Sequence, residues 1–151
     1  MPIAHTIGAL DVAYAAAVRQ CPCHRMRGTV LLLNSDSSLL VDVDLLRANG
    51  LIVYQCQEPA HAVKQFHDVA PDVVVAVLSA DTRPSIITEL RGVADHATSI
   101  IVASVSEQRE AARHGGADSF LLNSARPSDL LYEIQRALIL RRSGRRLPWN
   151  W

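Results

Sequence analysis

The chain has 151 residues, enough for one domain whose folding buries roughly two-thirds of the surface of the unfolded polypeptide. Fifteen acidic and fifteen basic residues leave a formal net charge of zero, which argues against broad electrostatic capture of nucleic acid or of an acidic membrane surface. Three cysteines (Cys21, Cys23 and Cys56) are too few for a disulfide framework and point to a reducing cytoplasm, and no apolar run reaches the roughly 18 residues that a membrane span needs.

The opening segment, MPIAHTIGALDVAYAAAVRQ, has no basic leader, and Asp11 interrupts its apolar part, so it does not read as a signal peptide. Instead, residues 7–20 carry Leu10, Ala13, Tyr14, Ala17 and Val18 at helical spacing, and residues 1–28 are expected to form an N-terminal helical extension. Next, Val30 to Leu33 is a short apolar strand ended by the polar cluster Asn34-Ser35-Asp36-Ser37, which is placed to cap a helix over residues 38–48 with Leu39, Val43 and Leu46 on one face. Asn49-Gly50 stops that helix.

Residues 51–56 read as a second strand and residues 59–69 as a second helix, with Pro59 in its first turn. Val73 to Leu78 is the most apolar strand, as suits a central position covered on both faces. A helix near 84–92 precedes a fourth strand over Ile100 to Ala103. A helix over 106–114 ends at Gly115-Gly116, a strand spans 118–122, and a last helix spans 127–142 with the stripe Leu130, Leu131, Ile134, Leu138 and Ile139. Five strands alternating with helices imply an α/β fold: a doubly wound, five-stranded parallel sheet with right-handed crossovers. Residues 143–151 form a basic and aromatic tail. Its Arg145, Arg146, Trp149 and Trp151 are types enriched at protein interfaces and make it a candidate docking segment, against the plainer expectation of a solvated, frayed end.

Residues 29–142 resemble the receiver domain of bacterial response regulators, a flavodoxin-like (βα)5 fold. The resemblance rests on "VLLLNSDSSLL" as first strand and acidic turn, "APDVVVAVLSAD" as third strand, "SIIVASVSE" as fourth strand, and "HGGADSFLLN" as the turn and fifth strand. Under it, the acidic pair that holds magnesium falls on Asn34 and Ser35, with Asp36 just beyond. The phosphate-accepting aspartate falls on Val77, the phosphoryl-contacting hydroxyl on Ser104, the lysine on Asn123 and the switch aromatic on Phe120. Sliding the register by two or four residues would put Ser79 or Asp81 at the acceptor, but would displace the Pro71-Asp72 anchor.

Valine has no lone pair with which to attack phosphorus, and magnesium prefers one or two carboxylates, so these departures together describe a degenerate phosphorylation site. Other chemistries find less support. Cys21-Pro-Cys23-His24 has a one-residue spacer where zinc knuckles use two, and no second pair follows; no metal or other cofactor is expected. The histidines are scattered, and no phosphate-binding glycine motif is present. The resemblance therefore implies a cytoplasmic, non-enzymatic, stand-alone signalling module that acts through a signalling or regulatory protein partner, or as a homodimer, without aspartyl phosphorylation. The alternative is a sensor that admits a small neutral ligand between Asn34, Ser35, Ser104 and Asn123.

Overall fold

The computed structural model describes residues 27–34, 41–79, 85–122 and 125–149. The expected N-terminal helix over residues 7–20, Ser35, Asp36, Leu39, Asp81, Asn123 and Trp151 lie outside them. Five strands, β1 (Gly28–Asn34), β2 (Leu51–Cys56), β3 (Val73–Val77), β4 (Ser99–Ser104) and β5 (Ser119–Leu122), form one parallel sheet in the order β2-β1-β3-β4-β5. The helices are α1 (Val43–Ala48), α2 (Pro59–Val69), α3 (Ser85–Val93), α4 (Arg109–Gly115), which follows a 3-10 turn at Ser106–Gln108, and α5 (Pro127–Arg142). This strand order is that of the flavodoxin-like fold.

Alternation of side chains along each strand sorts the core into two layers. On one face Leu31, Leu33, Val74, Ala76, Ile100, Val102 and Phe120 meet Ala62 and Phe66 of α2, Ile87 and Leu90 of α3, and Ala112 of α4. On the other, Val30, Leu32, Val73, Val75, Val77 and Ile101 meet Leu46 of α1 and Leu130, Ile134, Ala137 and Leu138 of α5. β3 belongs to both layers, and all five of its residues are fully buried. Two glycines stand at close approaches. A Cβ on Gly28 would lie 2.5 Å from a methyl of Leu138, and Gly116, at φ 106°, ends α4 where a side chain would meet Arg91.

Element boundaries depart from the sequence expectations where side chains intervene. Of the helix expected over 38–48, residues 38–40 lie outside the described residues, and α1 begins at Val43, where Asp42 accepts the Leu45 amide at 2.9 Å and caps it. The 3-10 turn takes the first residues expected of the helix over 106–114. β3 stops at Val77, one residue short of Leu78, although the Leu78 amide still donates to the Ala103 carbonyl at 2.9 Å.

The largest departure concerns the C-terminal tail, which packs onto the domain as far as Trp149 and is not a frayed end. At the N-terminal edge of the sheet, Asp118 sits between Arg91 (2.9 Å) and Arg146 (3.0 Å) and accepts the Ile100 amide. Burial pushes the Asp118 carboxyl up and the Arg91 guanidinium down from their ordinary values, against the attraction between them. Beside this cluster, Arg141 bridges Asp72 (2.9 Å) and Asp95 (3.2 Å), and its hydrogen bonds hold the Asp95 carboxyl at about 2. The Leu147 amide donates to Ser99 Oγ at 2.9 Å, and the Leu147 side chain joins the α1/α5 layer. Two residues later Trp149 packs against the opposite layer, with the Arg113 guanidinium 5.5 Å from its ring. The tail is thus a strap that crosses under the sheet and ties both layers together.

Leu147 is 2% exposed, so Leu147→Ala is expected to cost about 2–3 kcal/mol in urea unfolding. The exposed Arg145→Ala is expected to stay within about 0.5 kcal/mol of the parent. Equal, small effects for the two would mean that the strap carries no stability.

Candidate functional site at the C-terminal rim of the sheet

Doubly wound sheets place their chemistry at the carboxyl ends of the strands. Here Asn34, the last residue of β1, pairs with Val77, the last of β3, and Val77 pairs with Ala103 of β4. Ser104 follows and pairs with Leu122 of β5. The sheet therefore brings Asn34, Val77 and Ser104 to one rim, while Ser35, Asp36 and Asn123 lie outside the described residues. Phe120 is also positioned by the sheet, opposite Val102, and is 1% exposed within the α2/α3/α4 layer.

Alternation separates the rim residues by face. Val77 is fully buried in the hydrocarbon of the α1/α5 layer, and Leu78, next to it, belongs to the opposite one. Ser104 is buried as well, and its hydroxyl is held by protein groups. Its single proton is shared between two acceptors, the Leu78 carbonyl at 2.8 Å and Oε1 of Gln108. The Gln108 amide then donates to the Ser79 carbonyl at 3.0 Å. That last bond fixes the amide's orientation, because a carbonyl can only accept, and so presents Oε1 to the serine.

Ser104 engages the Leu78 carbonyl and Gln108 the Ser79 carbonyl, so the two side chains clamp the residues that follow β3 onto the end of β4. Gln108 is 8% exposed, and burying a primary amide is tolerable only because its polar ends are matched. Sequence reading had no means of finding this residue. It stands four positions after Ser104, but across a 3-10 turn whose geometry the local pattern does not announce.

Two other chemistries can be placed against the structure. Among the described residues, no group of three or more His, Cys, Asp or Glu is arranged to hold a metal ion. Cys56 is buried at the end of β2; burial raises its thiol pKa, and its Sγ donates to the Glu58 carbonyl at 3.2 Å, an environment that suppresses the thiolate. No helix among the described residues is long and apolar enough to cross a membrane.

No family model and no curated protein matches this chain. Solved structures do. The BeF3-activated N-terminal receiver domain of Klebsiella pneumoniae RstA matches with a TM-score of 0.63 at 16% identity, over 73% of this chain and 97% of that one. A response regulator receiver domain protein of Clostridium thermocellum matches at 0.65 and 17% identity, over 77% and 98%. A CheY-like receiver domain protein of Methanospirillum hungatei matches at 0.64 and 14% identity, over 77% and 97%. At such identities the likeness is one of fold: the chain has the receiver architecture.

Removal of the clamp is expected to be measurable. Gln108→Ala leaves the Ser79 carbonyl without this donor and should cost about 1–2 kcal/mol in chemical unfolding. Combined with Ser104→Ala, the effects should be non-additive by at least about 0.5 kcal/mol. Strict additivity would show that the two side chains do not act together.

Proposed function

We propose that this chain is a receiver-like signalling module that works by protein–protein contact and is not switched by aspartyl phosphate. The observation that carries this reading is the placement of Val77. It ends the central strand, beside Asn34, where the receiver resemblance puts the phosphate-accepting aspartate, and its side chain is sealed in hydrocarbon.

Phosphoryl transfer to a carboxylate needs a nucleophile, a cation that neutralises the phosphoryl oxygens, and a positive group beside the product. Under the resemblance these roles fall on Val77, on Asn34, Ser35 and Asp36, and on Asn123. A neutral amide and a hydroxyl offer magnesium little beyond what water offers, so the single carboxylate of Asp36 is left to hold it. The losses support one another: with no anion at the acceptor position, a lysine in place of Asn123 would be a cation without a counter-charge.

Ser104 and Phe120 keep the residue types of a switch without its trigger. With Ser104 committed to Leu78 and Gln108, and Phe120 buried, the module holds one conformation, and the signal lies in whether its partner is bound. In this reading the chain is cytoplasmic, performs no catalysis, and binds a signalling protein or a second copy of itself. The strap supplies the docking surface. Arg145 is exposed, Arg146 keeps a side-chain exposure of 44% while paired with Asp118, and Trp149 is half-buried beside them, with Trp151 following.

The alternative, a small neutral ligand at the rim, has to displace the Gln108 amide from Ser79 and Ser104. A metabolite that raises the melting temperature of the wild type by mass action would favour it.

Incubation with acetyl phosphate and magnesium, followed by intact mass measurement, is expected to leave the mass unchanged. A stable gain of one phosphoryl group that survives Asp36→Ala and disappears in Asp81→Ala would move the acceptor to Asp81 and overturn the proposal.

A further inference from the structure

The helices of a parallel sheet all run back against the strands, so their C-terminal turns gather at the sheet's N-terminal edge. Under β3, β4 and β5 that edge is crowded with charge. The segments leading into these strands bring one carboxylate each, Asp72, Asp95 and Asp118. All three are engaged: Arg141 pairs with Asp72 and Asp95, and Arg91 and Arg146 pair with Asp118. Three more arginines have no carboxylate partner among the described residues. Arg142 ends α5, Arg145 lies in the strap, and Arg113, in the last turn of α4, stands over the Trp149 ring. Six arginines against three aspartates leave three positive charges unmatched. The helix macrodipole favours cations in the last turns of α3, α4 and α5, but Arg145 and Arg146 stand beyond the last helix.

We propose that this edge takes a short acidic segment of a partner protein, its carboxylates pairing with Arg142, Arg145 and Arg113. The inference rests on the reading of the strap as a docking surface and deepens it by naming the partner's chemistry. The strap lays the charges out in a line from the end of α5 to α4, and Arg145 to Trp149 spans at most about 14 Å. An extended segment sets alternate side chains about 6.6 Å apart, so two or three carboxylates of roughly five residues match that length. Guanidinium groups take carboxylates in a bidentate fork, and the half-buried Trp149 ring offers an apolar anchor beside them. Nucleic acid is a poorer occupant, because three unmatched cations fall short of the roughly six to ten phosphate contacts of firm binding, and the chain as a whole is neutral.

Titration of the full-length protein with hexaglutamate, read by calorimetry at low and at physiological salt, tests it. Saturable binding that weakens as salt is raised is expected. Arg142→Glu and Arg145→Glu, both at exposed positions, should each weaken it about threefold or more, and together about tenfold or more. Lys64→Glu, a reversal of the same size at an exposed position on α2, should leave it within about twofold. No saturable binding, or an equal loss in Lys64→Glu, would overturn the proposal. Hexathymidylate binding more tightly than hexaglutamate would overturn it in favour of nucleic acid, and self-association abolished by the double reversal would assign the face to a second copy. Each of these failures leaves the acetyl phosphate result standing, and a phosphoryl gain there leaves the peptide titration standing, so the two readings fail separately.

Discussion

The structure depends on the complete burial of one strand. β3 lies between β1 and β4, has helices on both of its faces, and contributes side chains to both core layers, so each of its five residues is excluded from water. Each buried valine contributes roughly 1.5–3 kcal/mol relative to exposure, and the sheet is assembled around this hydrocarbon spine. An ionised group at any of these positions would need a partner or a metal to offset desolvation. Val77 meets the constraint with a side chain that requires neither. Under the proposed reading, Val77 stands where a reactive oxygen would be and makes the strand's end like the rest of the core.

The two ends of the sheet have accordingly become different environments. At the N-terminal end, charge is concentrated. Asp72 and Asp118, read in the sequence as parts of receiver-like motifs, each receive a backbone amide; Asp72 also pairs with Arg141 of α5, and Asp118 with Arg91 of α3 and Arg146 of the strap. At the C-terminal end, where the chemistry of such sheets normally resides, the described contacts are neutral: a serine hydroxyl, a glutamine amide and backbone carbonyls. Electrostatics here serve the closure of the fold, and the rim is held by hydrogen bonds that leave its serine engaged.

The order and type of all five strands and of the helices between them could be read from the sequence because hydrophobic period and turn residues agree. Pro59, Asn49-Gly50 and Gly115-Gly116 mark boundaries within a residue or two of those observed. Less could be read where a side chain acts at a distance. Asp42, not the earlier polar cluster, caps α1, because its carboxylate reaches the Leu45 amide. The tail's arginines and tryptophan have the composition of an exposed segment, yet Asp118 and Ser99, 28 and 48 residues earlier, hold Arg146 and Leu147 in place. The receiver resemblance picked out Asn34 and Val77, and the sheet pairs them at its C-terminal rim. What engages Ser104 was not legible, because Gln108 enters only through the geometry of the 3-10 turn.

The most direct measurement of the central claim is an amide spectrum of the protein titrated with magnesium and beryllofluoride, which mimics an aspartyl phosphate. With a hydrocarbon at the end of β3, the resonances of Val77, Ser104 and Phe120 should remain unmoved throughout. A saturable shift at Ser104 and Phe120 that requires both reagents would reveal a functioning acceptor carboxylate and contradict the account.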